Sequence, residues 1–330
     1  MVNSGFWGKL KKPIMVLAPM ADVTDAAFRR IIAKYGKPDV MYTEFVSADG
    51  LVMADDEGKA KLKKDLLFSE SERPIVAQFF SGKPEMIEKA AQLAVELGFD
   101  GIDINMGCPA GPIEKQGAGA ALIKNPKRAR EIIQAAKRGA GSLPVSVKTR
   151  IGWSKNEIET WLPEILAEEP AAVIVHARTR KEMSKVPARW DVVKRAVEIR
   201  NELKSETLIL GNGDVKDLED GRAKIKESGV DGAMLGRAIF GNPWLFQERK
   251  LEDVPLPERF EVMCEHTETF EKLLGGVKNF ALMKKHFKAY VEGFPGAKEL
   301  RVKLMEADDA VKIKSLLKDF LATSVDNSTR

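Results

Sequence analysis

The chain has 330 residues, 44% of them hydrophobic, with 53 Lys and Arg against 49 Asp and Glu. That length suits one large domain with a small accessory one, no apolar run of about 18 residues is present to span a membrane, and a net charge of +4 says little about a polyanionic partner. With 2 cysteines and 3 histidines, a disulfide framework and a Cys- or His-rich metal centre are not expected. Met1–Pro13 is polar, holds Lys9, Lys11 and Lys12, and lacks the apolar stretch of a secretory signal. A cytoplasmic protein without metal or membrane anchor is expected, monomeric by default.

From the N-terminus, short apolar runs of β character recur: Ile14–Ala18, Val40–Thr43, Ile75–Phe79, Gly101–Asn105, Val145–Lys148, Ala172–His176, Thr207–Leu210 and Gly232–Leu235. Segments of helical period lie between most of them, such as Glu85–Leu97, Pro126–Arg138, Val192–Leu203 and Leu218–Ser228. The runs alternate poorly, as strands buried on both faces do. Eight βα units predict a TIM (β/α)8 barrel over residues 1–250. A doubly wound sheet fits less well, because the first turn, Pro19-Met20-Ala21-Asp22, is not Gly-rich. Beyond Trp244 the pattern changes. Pro255 and Pro257 mark a linker, and Glu258 to about Leu321 reads as helices without strands. A small all-helical C-terminal domain is therefore expected over 251–330.

Active sites of such barrels form at the C-terminal ends of the strands. Polar or unusual residues fall at nearly every such end: Pro19-Met20 after the first, Glu44 after the second, Gln78 at the third and Asn105 at the fourth. Lys148 ends the fifth and His176 the sixth, Asn212-Gly213-Asp214 follows the seventh, and Gly236-Arg237 follows the eighth. Any one of these is unremarkable; the set requires one shared polar ligand. The glycine turns after strands seven and eight each precede a helical segment, the usual phosphate site of this fold, and Arg237 adds charge. A phosphate there, with Lys148 nearby, suggests flavin mononucleotide (FMN). Lysine beside the ring's N1–C2=O edge would stabilise its reduced anion, Gln78 could bond the pyrimidine edge, and Pro19-Met20 could pack on the ring.

Cys108 sits between Gly107 and Pro109 in a loop that runs on to Lys115-Gln116-Gly117-Ala118-Gly119-Ala120. A cysteine among turn residues at a barrel mouth is a candidate acid or nucleophile. Cys264, in an apparent helix with no polar constellation, reads as a small buried hydrophobe.

Together, Ala18-Pro19-Met20, Asn105–Pro109, Lys115 with Gly117–Ala120, His176–Arg180, Gly211–Asp214, and Gly236-Arg237 with Gly241–Trp244 resemble the tRNA-dihydrouridine synthases. Lys284-Lys285-His286, Tyr290 and Gly293–Ala297 resemble the helical domain of the family's bacterial forms. The resemblance implies FMN at the barrel mouth, NADPH as electron donor, and reduction of the C5=C6 bond of uridine in tRNA. By matching positions, Met20, Gln78, Lys148, His176, Asn212, Asp214, Gly236 and Arg237 would line the FMN site. Cys108 would give the proton to C5, and Asn105 would lie near flavin and base. Lys181–Ala188 and Ala110–Ile113 depart from the family's pattern, and both lie where substrate would approach.

Charge segregation in the tail agrees with an RNA partner. From Lys272 to Lys303 there are 8 Lys or Arg against 2 Glu. Lys284, Lys285, Lys288, Lys298, Arg301 and Lys303 could form a phosphate-binding face, with Arg178 and Arg180 as the basic candidates on the barrel side. Two other readings compete: a dihydroorotate-dehydrogenase-like FMN enzyme, which would not need the basic helical tail, and a non-catalytic RNA-binding relative, which would not need Cys108 and Lys148.

Overall fold

The computed structural model describes residues 2–328. Eight parallel strands form the sheet: β1 (Ile14–Leu17), β2 (Met41–Ser47), β3 (Ile75–Phe80), β4 (Gly101–Met106), β5 (Val145–Arg150), β6 (Ala172–His176), β7 (Leu208–Asn212) and β8 (Gly232–Leu235). Their order is β1-β8-β7-β6-β5-β4-β3-β2. The ring closes where Val16 bridges Val40 in parallel and the Leu17 N–H donates to the Val40 C=O at 3.1 Å. Strands with helices outside and packed side chains inside are covered on both faces, so their sequences run apolar without alternation. The chain is the expected barrel.

The helices are α1 (Ala26–Tyr35), α2 (Ala48–Met53), α3 (Asp56–Lys64), α4 (Pro84–Glu96), α5 (Gly111–Glu114), α6 (Pro126–Ala140), α7 (Ile158–Leu166), α8 (Trp190–Glu202), α9 (Leu218–Ser228), α10 (Leu256–Leu274), α11 (Lys284–Tyr290), α12 (Ala297–Met305) and α13 (Ala310–Ser328). Side-chain caps start several of them, Asp25 for α1, Asn125 for α6 and Asp217 for α9.

Five strands outrun their expected ends, β3 and β4 by one residue and β2, β5 and β7 by two or more. β2 starts at Met41 and reaches Ser47, with an irregularity between Tyr42 and Phe45. β5 continues through Thr149 and Arg150, and β7 through Gly211 and Asn212. Glu44 and Asn212 thus lie within strands rather than after them, and Lys148 lies inside β5 rather than at its end. Hydrophobicity stops where the strand meets the polar mouth, but the backbone ladder does not. The stretch Pro255–Pro257 is also not a linker. Pro255 caps α10 and Pro257 sits in its first turn, where a missing N–H costs nothing.

Past residue 255 the chain is helical and packs on α1. Glu265 of α10 accepts from Lys34 Nζ at 2.7 Å and Tyr35 OH at 2.6 Å. Beneath this contact, Phe28 stacks on His266 at 4.9 Å and meets His286 at 4.6 Å, and the two imidazoles lie 4.7 Å apart. His266 Nε2 and both ring nitrogens of His286 have no hydrogen-bond partner. Burial holds the His266 imidazole down at about 3 and His286 well below its ordinary value. Both are neutral when folded but charge below about pH 6.5 when unfolded, so the stability they lend is complete above that pH and is lost as pH falls. His286→Leu should therefore move the acid-unfolding midpoint, followed by circular dichroism, to lower pH. An unchanged midpoint would reject the assignment.

Candidate active site

Cross-strand partners build the mouth. Gln78 pairs with Asp103 across β3 and β4, Asn105 with Lys148 across β4 and β5, and His176 with Asn212 across β6 and β7. Residues two apart in a strand share a face, so Asp103 sits one layer beneath Asn105.

A cavity of about 710 Å³ opens there, walled by the ends of β1, β5, β6, β7 and β8. Pro19, Met20, Lys148, His176, Asn212, Gly213, Asp214, Gly236 and Arg237, all expected around one ligand, line it together. Gln78 is not among the lining residues and lies in a buried network described below. Ser184 and Lys216 join the wall unforeseen.

The cavity is positively charged. Lys148, Arg178, Lys216 and Arg237 line it against a single carboxylate, Asp214. Asp214 pairs with both arginines, Arg178 Nη2 on Oδ2 and Arg237 Nη2 on Oδ1 at 2.8 Å, and this holds its carboxyl below the ordinary range. Lys148 Nζ donates to Asn212 Oδ1 at 3.2 Å; an ammonium has three donors, so two remain for a ligand. Burial, then the charge of Arg150, lowers Lys148 to about 8. Burial, with Lys148 and three arginines around it, pushes His176 well below its ordinary value and leaves it neutral. Such a field favours an anionic ligand.

The glycines at the end of β7 have separable reasons. A Cβ on Gly211 would stand 2.2 Å from the Trp190 ring, so this glycine serves helix packing. Gly213 faces the cavity, and its C=O accepts from Trp190 Nε1 at 2.9 Å.

Cys108 follows β4, half-buried against Phe45, Phe80, Ile113 and Ala118. Its N–H donates to Asn105 Oδ1 at 2.9 Å and its C=O accepts from the Ala120 N–H at 3.0 Å. Gly119, at φ +60, makes that return possible: a Cβ there would lie 2.7 Å from the Cys108 oxygen. Burial raises the thiol, outweighing Arg150 and Lys148, so Cys108 is a protonated thiol at neutral pH.

Asn105 Nδ2 donates to Gln78 Oε1 at 3.1 Å, and Gln78 Nε2 to Asp103 Oδ2 at 2.7 Å. Asp103 Oδ1 accepts from Ser146 Oγ at 2.6 Å, and full burial raises this carboxyl to about 7.

Arg150 escaped the sequence reading. It is buried, and donates from Nε to the Gly107 C=O at 2.7 Å and from Nη1 to the Thr179 and Met183 carbonyls at 3.1 and 3.0 Å. It ties the cysteine loop to the loop after β6. Its period-two spacing from Lys148 was the available signal.

Arg178, expected to face RNA, is 3% exposed and belongs to the cavity wall through its Asp214 pair. Arg180 is half engaged: it pairs with Glu114 through two nitrogens and stacks 4.8 Å over Trp153. Lys284, Lys285 and Lys288 lie together on α11, Lys288 exposed and the other two half-buried, and none has a salt-bridge partner among the described residues. Instead, Lys278 of the tail reaches the mouth. Its Nζ lies 2.6 Å from Glu44 Oε2 and 2.7 Å from Asp65 Oδ1. Glu44 Oε1 in turn accepts from the Asp22 N–H of the loop after β1.

Among the described residues no group of three His, Cys, Asp or Glu could hold a metal ion, and no helix is long and apolar enough to cross a membrane.

Two solved structures share the fold at 13% identity: histamine dehydrogenase from Rhizobium sp. 4-9, with a TM-score of 0.53 over 78% of this chain and 49% of that one, and morphinone reductase in complex with tetrahydroNAD, with a TM-score of 0.50 over 76% and 90%. Curated relatives span nearly the full length. A protein of Staphylococcus aureus strain COL, described as a probable tRNA-dihydrouridine synthase, is 39% identical over 323 residues, covering 97% of each chain. One of Bacillus subtilis strain 168, described as a probable tRNA-dihydrouridine synthase 2, is 40% identical over 321 residues, again covering 97% of each. The model of the family Dihydrouridine synthase (Dus) matches residues 16–325, and the chain belongs to that family.

Proposed function

We propose that the protein reduces the C5=C6 bond of uridines in tRNA to dihydrouridine, with FMN in the mouth cavity, NADPH as electron donor and Cys108 as the acid. One observation carries the reading: a cation-lined cavity adjoins a loop that holds a protonated, half-buried thiol. The donor set fits the cofactor. Arg178 and Arg237, beside the Gly213 and Gly236 turns, suit a phosphate; Lys148 suits an electron-rich ring edge; Pro19 and Met20 offer an apolar face.

A flavin held there by Lys148, Arg178 and Arg237 would supply the hydride for C6 of the uracil. The protein's own groups do the rest. Negative charge that builds on the C4 carbonyl side is relieved when the Cys108 thiol protonates C5. Asn105 lies beside Lys148 as its cross-strand partner and would orient the base beside the flavin. A base inside a stacked helix cannot reach this depth, so the target uridine must be unstacked.

Residues 251–330 would hold the tRNA, with Lys284, Lys285 and Lys288 on its phosphates and the protein acting as a monomer. Replacing those three lysines with Ala should lower the slope of log affinity against log salt by about 2, at roughly 0.7–0.9 per phosphate contact. An unchanged slope would move the RNA face elsewhere.

The test of the reading is direct. Purified protein should carry yellow FMN that NADPH bleaches under anaerobic conditions, and adding unmodified tRNA should restore the colour with stoichiometric dihydrouridine. Absence of dihydrouridine from a fully reduced sample would overturn it.

A further inference from the structure

We infer that Asp103 is a positioning residue that orients Cys108 through two side-chain amides, Gln78 and Asn105, whose polarity is fixed from both ends. The inference rests on the role proposed for Cys108.

The logic starts at the loop. The N–H groups of Gly107 and Cys108 can only donate, and they point at Asn105 Oδ1 from 3.1 and 2.9 Å. The Asn105 carboxamide must therefore turn its NH2 away, toward Gln78 Oε1 at 3.1 Å. The Gln78 NH2 must then face Asp103 Oδ2, 2.7 Å away. At that end only an acceptor will serve. The Asp103 carboxyl supplies one in either protonation state: Ser146 Oγ, 2.6 Å from Oδ1, donates to the carboxylate and can accept from the acid.

Gln78, Asp103 and Asn105 are all buried. A single amide turned the wrong way would set N–H against N–H, or leave it unpaired, where water cannot compensate. Each amide also keeps one N–H beyond the relay. Asp103 thereby fixes both the seat of Cys108 and the way the two amides turn. A carboxyl at the centre of a barrel otherwise has only the cost of its burial.

Three isosteric or near-isosteric changes separate this role from mere filling of space. Asp103→Asn keeps the relay: its carbonyl accepts from Gln78, and its NH2 donates to Ser146, whose hydroxyl can turn to the Ile102 C=O already 3.4 Å away. Asp103→Leu removes the acceptor. Gln78→Glu preserves volume but sets carboxylate against carboxylate, and Asp103→Asn combined with Gln78→Glu restores one donor facing one acceptor.

The readout is alkylation of Cys108 by iodoacetamide at pH 8, on the full chain as purified, with Cys264 changed to Ser throughout. Asp103→Leu and Gln78→Glu should alkylate at least about fivefold faster than the parent, the equivalent of one lost net hydrogen bond of about 1 kcal/mol. Asp103→Asn and the double variant should stay within about twofold. For Gln78→Glu the excess over the parent should also shrink toward pH 6, where the two carboxyls can share a proton. If Asp103→Leu fails to fold, the Gln78→Glu pair decides alone. Parent-like rates in Gln78→Glu, or no rescue in the double variant, overturn the relay. Alkylation needs neither tRNA nor turnover, so failure of the relay and failure of the proposed reaction are read separately.

Discussion

Cys108→Ala should lower the rate of dihydrouridine formation by about 10²–10⁴-fold, the usual contribution of a positioned general acid. The same variant should bind FMN and be bleached by NADPH at the parent rate, because Cys108 is not among the residues lining the cation-rich cavity. The two half-reactions must therefore be timed separately, by stopped-flow reduction and by reoxidation with tRNA. Burial raises the thiol above its ordinary value, so the acid form persists through neutral pH and the tRNA step should stay level until the pH nears 8, where Lys148 loses its charge. Loss of activity centred near pH 7 would identify a thiolate and a nucleophilic role instead. Full activity of Cys108→Ala would reassign the acid altogether. His176 is no substitute, since its burial among four cations keeps it unprotonated.

The barrel was legible because it rests on period. Eight apolar runs, spaced by helical segments, name a (β/α)8 ring without reference to any contact. The cavity was legible for a related reason: polar residues at successive strand ends, from Met20 to Arg237, converge on one mouth once the ring closes. What escaped depends on partners far apart in sequence. Arg178 looked like a surface charge until Asp214, 36 residues on, turned it into the wall. Arg150 and Asp103 occupy strand positions that hydrophobicity treats as edges or errors. Their burial follows from carbonyls and amides supplied by other loops, and no local pattern encodes those. The glycine at 211 read as part of a phosphate turn, whereas the Trp190 ring accounts for it. Lysines in the tail were read for RNA as a group; Lys278 could not be told from its neighbours until it was seen between two carboxylates.

Lys278 has the largest expected effect on stability. It joins the helical tail to the barrel mouth, 12% exposed, between Glu44 at 6% and Asp65 at 23%. Glu44 is raised to about 7, chiefly by burial and in spite of Lys278, so without the ammonium it would be an uncompensated buried carboxylate. Lys278→Met should cost about 3–5 kcal/mol, the usual penalty for removing one partner of a buried pair, measured as a shift in the urea midpoint at pH 8. Glu44 would escape part of that penalty by taking up a proton, so the variant's deficit should shrink as pH falls from 8 toward 6. Glu44→Gln in the Lys278→Met background should likewise recover part of it, because the amide carries no charge and can still accept from the Asp22 N–H. A loss below about 1 kcal/mol would show the pair to be worth no more than a surface bridge. The site should register the same change. Asp22 lies two residues beyond Met20, and Met20 lines the cavity. Slackening this hold should weaken FMN retention in Lys278→Met even where the barrel stays folded, while a distant surface substitution of equal stability cost should not.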